Sequence, residues 1–210
     1  AHEIKNPLTP IQLSAERIQH KFSDKLSKED SIILERSTRV IVNQVNALKI
    51  MVNEFAEYAR PPKIQKDIIR IDNLVDEVVD LYEIDKIIKI KKAKNIPIIY
   101  ADQNKLRQVI INLIENSKDA LEEIKNPIIK IFIRKKIGEV ELIIEDNGIG
   151  IPDEIIERIF EPYVTSKKAG TGLGLAIVHK IIEEHDGKIK IERINTSGTR
   201  VIIKLKSGKK

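Results

Sequence analysis

Apolar residues in the first part of the chain recur with the period of helices that pack on other helices. One set is spaced alternately four and three residues apart and comprises Ile4, Leu8, Ile11, Ala15, Ile18 and Phe22. A second set keeps this spacing and comprises Leu34, Thr38, Ile41, Val45, Leu48, Val52, Phe55 and Ala59. Such narrow heptad seams are typical of helix bundles. The pattern predicts two helices joined by a polar connection over 23–30.

The predicted helical hairpin needs a packing partner, because two helices of this length enclose too little core to be stable alone. Both seams continue to the ends of their helices, so we expect two copies to form an antiparallel four-helix bundle, that is, a homodimer. The alternative is that the hairpin packs on the remainder of its own chain.

Pro61 and Pro62 mark a change in this pattern. Two consecutive prolines cannot continue a helix, and they favour extended backbone. All nine glycines of the chain follow them, together with short apolar runs. We therefore expect a helical domain over 1–60, a linker over 61–66 and a second domain over 67–210.

Helix and strand patterns alternate in the predicted second domain. Asp72 and Asp102 stand at N-cap positions of helices expected over 72–82 and 103–124, and glycines open a third helix over 173–185. Strands are predicted at 87–90, 96–100, 128–134, 140–145, 188–194 and 200–206. The pattern indicates an α+β fold in which helices cover one face of a single sheet.

Composition excludes several classes of protein. The 210 residues contain no cysteine, which excludes disulfide frameworks, thiolate zinc sites and cysteine nucleophiles. No apolar run approaches the roughly 18–20 residues that span a bilayer, and no signal peptide opens the chain. We expect this fragment to be cytoplasmic, without direct membrane contact. The net charge is +5, but aromatic residues make up only 4% and tryptophan is absent, so nucleic acid is not expected as a partner.

The long predicted helix carries an unusual polar stripe. Asn112, Glu115, Asn116 and Asp119 are spaced so that they share one face. Asparagine is a mediocre helix former, whereas glutamate and lysine fill ordinary exposed positions. Amide and carboxylate oxygens on one face suit a hard cation such as Mg²⁺ that bridges phosphates. The alternative is an ordinary solvated face.

Two glycine motifs follow the stripe. The segment 146–150, with Asp146, Gly148 and Gly150, comes directly after a predicted strand, and its aspartate can accept a hydrogen bond from an exocyclic amine. An ordinary turn is the alternative. The second motif opens a helix and reads Gly170-Thr171-Gly172-Leu173-Gly174-Leu175. Backbone N–H groups at such a helix start form a cradle for anions, although the motif lacks the Lys-Ser/Thr ending of a P-loop.

The order of these motifs resembles the nucleotide-binding domain shared by sensor histidine kinases, gyrase-type ATPases and Hsp90-like chaperones. The series is the asparagine-rich helix, D-N-G-I-G, Phe160-Glu161-Pro162-Tyr163 and G-T-G-L-G-L. The opening A-H-E-I-K-N-P-L-T-P resembles the H-box of histidine kinases, and the wording is most similar to NtrY-like nitrogen-regulation kinases. The resemblance covers essentially the whole chain. It implies a dimerisation and histidine phosphotransfer hairpin, followed by a Bergerat-type α/β-sandwich ATP-binding domain.

The resemblance implies a phosphoryl relay that starts near the beginning of the chain. His2 would attack the γ-phosphoryl group of ATP, and Glu3 would take the imidazole proton. Asn6 stands where relatives have a residue implicated in dephosphorylating the partner. The phosphoryl group would then pass from His2 to an aspartate of a response regulator that docks on the hairpin. The resemblance also leaves room for a membrane anchor outside these residues.

The same resemblance implies a site for ATP and Mg²⁺ in the second domain. Asn116 would hold Mg²⁺, with Asn112 and Asp119 beside the phosphates. The segment 151–169 would be a mobile lid. Lys167 in this lid either contacts the phosphates or is merely a solvated lysine.

The adenine end of this implied site is built around Asp146, which would bind the adenine amino group with support from Thr199. Phe160 and Tyr163 would anchor the lid. Gly148 and Gly150 would let the adenine approach the backbone. In the second glycine motif, Gly170, Gly172 and Gly174 would cradle the phosphates, and Thr171 and Leu173 would also contact the nucleotide.

Two rival functions fit parts of the pattern. An ATPase or chaperone module of the same fold would hydrolyse ATP rapidly, but Asn112 stands where gyrase-type ATPases carry a catalytic glutamate. A non-catalytic dimerisation scaffold is opposed by the intact motifs. The chemistry expected is therefore phosphoryl transfer to a side chain with little hydrolysis. His20, His179 and His185 have no companion motif and are expected to be structural or exposed.

Overall fold

A computed structural model of the protein shows two compact units, Ala1–Pro62 and Lys63–Lys210, each with most of its contacts within itself. The structure describes residues 6–59, 63–82, 87–167, 170–194 and 197–208. Over those ranges, no helix combines the length and the apolar character needed to cross a membrane.

Two antiparallel helices form the first unit. Helix α1 spans Leu8–Phe22 and helix α2 spans Lys28–Ala59, with a 3₁₀ turn at Ser23–Lys25 between them. Pro7 stands at the N-cap of α1, where its missing N–H removes no helical hydrogen bond.

Two polar contacts set the register of the hairpin. Lys49 Nζ donates to Gln12 Oε1 at 2.7 Å, and Thr38 Oγ1 lies 3.1 Å from Gln19 Oε1. Gln12 near the start of α1 contacts the later α2 residue Lys49, whereas Gln19 near the end of α1 contacts the earlier α2 residue Thr38. The two helices therefore run antiparallel, as the short connection requires.

The predicted seams are only half covered within the hairpin. Leu8, Ala15, Thr38 and Val45 are buried. The other described seam residues that remain 41–47% exposed are Ile11, Ile18, Phe22, Ile41, Leu48 and Phe55. The hairpin therefore presents an apolar strip along its length.

The described residues of the second unit form two sheets and three main helices. Its elements in chain order are β1 (Asp67–Ile69), α3 (Ile71–Asp80), β2 (Ile88–Lys92), β3 (Ile99–Ala101), α4 (Gln103–Ala120), β4 (Ile129–Lys136), β5 (Glu139–Asp146), α5 (Asp153–Ile156), α6 (Gly174–Glu184), β6 (Lys188–Arg193) and β7 (Thr199–Lys206). The larger sheet has the strand order β2-β4-β5-β7-β6, in which only the β2–β4 pair is parallel. The smaller sheet is the antiparallel pair β1–β3.

The core of this unit lies between the larger sheet and a layer of helices. Along β4, Ile129, Ile131 and Ile133 are fully buried, while Lys130 and Arg134 between or beside them are exposed. Helix α4 contacts α3, α6 and β5, so it lies at the centre of the helical layer. The predicted α/β sandwich is confirmed.

Three predicted details differ from the structure. Asp72 is not an N-cap, because α3 begins at Ile71 after Arg70, and Asp72 instead pairs with the Arg70 guanidinium at 2.7 Å. The predicted single sheet is wrong, because β1 and β3 form a separate two-stranded sheet. Strand β1 is only three residues long, which is too short to show a period in the sequence. Helix α4 ends at Ala120 rather than at 124. The cap at Asp102 is confirmed, because its Oδ1 accepts from the N–H groups of Asn104 and Lys105.

Candidate functional site

Asp146 ends strand β5 and is buried against the N-terminal end of β7. Its Oδ1 accepts hydrogen bonds from the N–H groups of Gly148 at 2.9 Å and Thr199 at 3.2 Å. Ser117 Oγ donates a longer bond of 3.4 Å to Oδ2. Burial raises the pKa of Asp146, and these three hydrogen bonds oppose that rise. Among the described residues, only Ser117 donates to Oδ2, and over a long distance, so this oxygen keeps capacity for another donor.

Gly148 allows the loop after Asp146 to lie against the end of helix α4. A Cβ atom at Gly148 would stand 2.6 Å from the carbonyl oxygen of Ala120. The next N–H group, that of Ile149, donates to the same oxygen at 3.1 Å. Any side chain at position 148 would therefore push this loop away from α4.

The polar stripe predicted on α4 is present on one face of that helix. Asn112 and Asn116 are half-buried, while Glu115 and Asp119 are exposed. Lys167 reaches this stripe from the segment after α5. Its ammonium donates to Asn116 Oδ1 at 2.7 Å and pairs with Asp119 Oδ2 at 2.5 Å.

Glu115 is the member of the stripe that is already engaged elsewhere. The hydroxyl of Tyr82, just after α3, donates to Glu115 Oε1 at 2.7 Å. Burial and this carboxylate together raise the pKa of Tyr82 above its ordinary value. The ammonium of Lys118 lies 5.0 Å from the centre of the Tyr82 ring. The sequence contains no local signal for this pair, which lies 33 residues apart.

The glycine motif before α6 is bound to the segment 151–167 through its backbone. Gly172 has φ +69°, and a Cβ atom there would stand 2.5 Å from the carbonyl carbon of Tyr163. The N–H group of Tyr163 donates to the Gly172 carbonyl oxygen at 3.0 Å. Tyr163 therefore contacts Gly172 through its backbone, while its side chain is exposed. Phe160 instead uses its ring, whose centre lies 4.8 Å from that of His179 on α6.

The start of α6 is open to a ligand. Leu173 is fully buried, and its N–H group donates to Thr171 Oγ1 at 3.3 Å. A Cβ atom at Gly174 would meet nothing within 4 Å. The first turn carries no acidic residue. The N–H groups of this turn lack helical acceptors, so the helix start favours an anion.

Arg193 at the end of β6 is a further residue of this region that sequence reasoning missed. Its Nε donates to the carbonyl oxygen of Ile151 at 2.7 Å, and its Nη1 pairs with Asp153 Oδ1 at 2.7 Å. Ile151 directly follows Gly150, so Arg193 holds the backbone where the glycine loop of 146–150 ends. No local pattern marks this contact, which joins residues 42 positions apart.

The histidines of the second unit have structural contacts. His185 Nε2 accepts from the N–H group of Asp102 at 2.9 Å, and its Nδ1 lies 2.7 Å from the Ile181 carbonyl oxygen. Both ring nitrogens of this buried side chain are therefore engaged. His179 packs on Phe160 and lies 3.4 Å from the Glu183 carboxylate.

The predicted residues near the chain start are placed only in part. His2 and Glu3 lie outside the described residues. Asn6 is exposed just before α1. The predicted lid 151–169 is described up to Lys167.

The polar stripe on α4 provides ligands of the kind that Mg²⁺ prefers. Asn116 Oδ1 and Asp119 Oδ2 already accept a cation, the Lys167 ammonium. Amide and carboxylate oxygens are hard ligands. Within the described ranges, no cluster of three or more His, Asp or Glu residues forms a metal cage. The site fits an ion held mostly by a ligand's phosphates, with few protein contacts.

Comparison with known proteins gives a consistent set of relatives. A family model described as "Histidine kinase-, DNA gyrase B-, and HSP90-like ATPase" matches residues 101–209. The nitrogen regulation protein NtrY of Azorhizobium caulinodans is 37% identical over 198 residues, which cover 91% of this chain and 26% of NtrY. The chain thus spans about a quarter of that relative's length.

Two solved structures share both sequence and fold with this chain. The nucleotide-free catalytic domain of the histidine kinase ThkA is 34% identical with a TM-score of 0.59, covering 68% of this chain and 96% of that one. ThkA in complex with the response regulator protein TrrA is 30% identical with a TM-score of 0.72, covering 99% of this chain and 60% of that one.

Proposed function

The chain belongs to the family of histidine kinase-, DNA gyrase B- and HSP90-like ATPases, and from this membership we propose that it transfers the γ-phosphoryl group of ATP to its own His2. The phosphoryl group then passes to an aspartate of a response regulator. The relatives named as histidine kinases, and the ThkA structure that contains a response regulator, support this assignment over the other branches of the family.

One observation carries the proposal: Asn116 and Ser117, consecutive residues of α4, contact two different segments of the proposed site. Ser117 donates to Asp146, and its neighbour Asn116 accepts from Lys167. Helix α4 therefore links the carboxylate that is proposed to bind the base with the amide that is proposed to hold the metal ion. This is the arrangement needed to hold an adenine at one end and phosphates at the other.

At the adenine end, Asp146 is proposed to accept a hydrogen bond from the exocyclic amine through Oδ2. The N–H groups of Gly148 and Thr199 hold the other carboxylate oxygen, so the side chain is fixed before the ligand arrives. Gly150 continues the loop that would lie along the adenine. The binding energy of the base thus rests on a carboxylate whose orientation needs no adjustment.

At the phosphate end, Asn112 and Asn116 are proposed to face the phosphates, and Asn116 would hold Mg²⁺. The open turn at Gly174 and the loop over 170–173 would donate N–H groups to the phosphate oxygens. Mg²⁺ in this position supplies positive charge that stabilises the transferring phosphoryl group. Lys167 is proposed to contact the phosphates once nucleotide is bound.

The protein is proposed to position the γ-phosphoryl group for a histidine and not for water. Asn112 carries no carboxylate, so it cannot take a proton from an attacking water. The unprotonated ring nitrogen of His2 would form the new bond to phosphorus as the bond to the ADP oxygen breaks. The Glu3 carboxylate would accept the proton from the other ring nitrogen. Asn6 would act in a different reaction, the removal of phosphate from the response regulator.

The partner proposed for the hairpin is a second copy of the chain. The apolar strip that includes Ile11, Ile41 and Phe55 is too exposed for an isolated soluble hairpin. A two-fold axis would place the same strip of both copies face to face, which completes a four-helix bundle. The response regulator would dock on the outer surface of that bundle.

The experiment that tests this function is incubation with γ-labelled ATP and Mg²⁺. We expect wild-type protein to acquire label that is acid-labile and alkali-stable, as a phosphohistidine is. His2→Gln should retain ATP binding and acquire no label, because only the acceptor is removed. Asn116→Ala should lose labelling through weakened Mg²⁺-dependent binding. Label that persists in His2→Gln would overturn the assignment of the acceptor.

A further inference from the structure

The contact of Lys167 with the α4 stripe joins two segments that lie far apart in sequence. The ammonium lies 2.7 Å from Asn116 Oδ1 and 2.5 Å from Asp119 Oδ2. Asp119 follows Asn116 by three positions, so the two oxygens are neighbours on the helix surface. The Lys167 and Asp119 side chains are 39% and 55% exposed, so the contact is reachable by solvent and by a ligand.

Lys167 is also held from its own side by a local turn. Its N–H group donates to Thr165 Oγ1 at 3.1 Å, and its carbonyl oxygen accepts from the N–H group of Gly170 at 3.3 Å. A Cβ atom at Gly170 would stand 2.7 Å from Thr165 Oγ1, so any other residue there would require this hydroxyl to shift. The lysine therefore extends from a built turn towards α4.

The ammonium takes the amide oxygen that the proposed function assigns to the metal ion. Two cations cannot share one oxygen at hydrogen-bonding distance without strong repulsion. We propose that Asp119 is a positioning residue that, without nucleotide, holds Lys167 on Asn116, so that the segment carrying Lys167 and the metal–nucleotide complex compete for this position. This inference rests on the proposed function for the identity of the competing cation.

We call the contact of the Lys167 ammonium with Asn116 and Asp119 the latch, and it has two consequences. In the nucleotide-free protein, it fastens the segment around Lys167 to α4. When the metal–nucleotide complex binds, the latch must break, and the released ammonium becomes available to the phosphates. Because the ion pair is exposed, its contribution is small, and the competition changes apparent affinity by about two- to five-fold.

The first test is amide hydrogen exchange of the nucleotide-free protein. We expect Asp119→Asn to speed exchange at residues 163–167 by about two- to five-fold, because the fastening ion pair is lost. Lys167→Gln should have at least the same effect, because it also removes the contact with Asn116, and the double variant should exchange no faster than Lys167→Gln, since the ion pair is already lost. Glu123→Gln, an exposed carboxylate just after the same helix, is the charge-matched control and should change nothing. Unchanged exchange in Asp119→Asn would overturn the latch.

The second test is calorimetric titration with Mg²⁺–ADP. Asp119→Asn should bind about two- to five-fold more tightly than wild type, and the same change should bring no gain in a Lys167→Gln background. Equal tightening in both backgrounds would mean that the lost negative charge acts directly on the phosphates, which overturns the latch. Weaker binding would mean that Asp119 helps to hold the metal, which overturns it also. A wild-type protein that binds no nucleotide would refute the proposed function, while the exchange experiment would still decide the latch.

Discussion

The two units of the chain treat their apolar side chains in opposite ways. In the hairpin, Ile41 and Phe55 lie on the predicted seam yet are 43% and 47% exposed. In the second unit, Ile114 and Ile131 are fully buried within one copy of the chain. Regular apolar spacing therefore predicts a buried face, but it does not indicate which chain covers that face. The second unit completes its own core, whereas the proposed bundle needs a second copy.

The largest expected effect comes from placing charge in the exposed strip of the hairpin. The double variant Ile41→Glu, Leu48→Glu should weaken the dimer by at least roughly 4 kcal/mol, because it buries four unpaired carboxylates at the proposed interface. Sedimentation velocity should show monomers at concentrations where wild type is dimeric. Ile50→Glu is the matched control, because Ile50 is 56% exposed and lies off the seam. A double variant that still sediments as a dimer would refute the proposed interface.

The next largest effect is expected in the core of the second unit. Ile114→Ala should lower its free energy of unfolding by about 2–5 kcal/mol through lost burial and a residual cavity. Because this core lies within one copy, the loss should not depend on protein concentration, unlike the loss in the hairpin. Chemical denaturation at two protein concentrations measures both quantities. Ile68→Ala, at a side chain that is 65% exposed, should cost less than about 0.5 kcal/mol.

Asp146→Asn should weaken ATP binding by about 1.5–3 kcal/mol, roughly 10- to 150-fold. An amide in this place turns its NH₂ group towards donors, either the N–H groups of Gly148 and Thr199 or the adenine amine. Isothermal titration measures the loss. A variant that binds ATP as wild type does would remove Asp146 from the site.

The raised pKa of Asp146 adds a pH dependence with a definite sign. Its burial favours the protonated form in the folded protein, so its contribution to stability is largest below the ordinary aspartate pKa of about 4 and is lost as pH rises through the raised value. Nucleotide affinity should run the other way. It should fall on acidification at a pH above the ordinary aspartate range, as Asp146 Oδ2 loses its charge. Affinity that is flat down to pH 4 would contradict this role.

The smallest expected effect concerns Arg193, which fastens the backbone after Gly150. Arg193→Gln should weaken nucleotide binding by about two- to ten-fold, because a freed Ile151 carbonyl no longer fixes the end of the loop. Arg193→Lys should restore part of the loss through a single hydrogen bond. A thermal melt run beside the titration separates loss of binding from loss of folding.

Features of the fold that depend on neighbouring residues could be predicted from the sequence. The alternation along β4 and the cap at Asp102 are local patterns, and both are present. Strand β1 could not be predicted, because three residues show no period and its pairing with β3 joins positions 34 apart, as in Asp67 with Ala101. The end of α4 also differs from the prediction, because the N–H group of Ile149, from a distant loop, donates to the carbonyl oxygen of Ala120.

The candidate site divides in the same manner. The stripe that includes Asn116 was visible because asparagine is unusual on a helix face, and Asp146 was visible because it sits between a strand and glycines. The contact of Lys167 with Asn116 joins residues 51 apart, and that of Asp102 with His185 joins residues 83 apart. Such contacts depend on how whole helices and strands pack together, so no local sequence pattern predicts them.

The proposed function requires that the bound γ-phosphoryl group is delivered to a histidine in preference to water. A single-turnover experiment with γ-labelled ATP, Mg²⁺ and excess protein measures how the label divides between phosphoprotein and inorganic phosphate. Delivery to the histidine predicts that nearly all transferred label appears on His2, identified by mass spectrometry under alkaline conditions, with little early release of phosphate. Rapid release of inorganic phosphate, with no phosphohistidine at any time point, would contradict it and identify the protein as an ATPase of the same family.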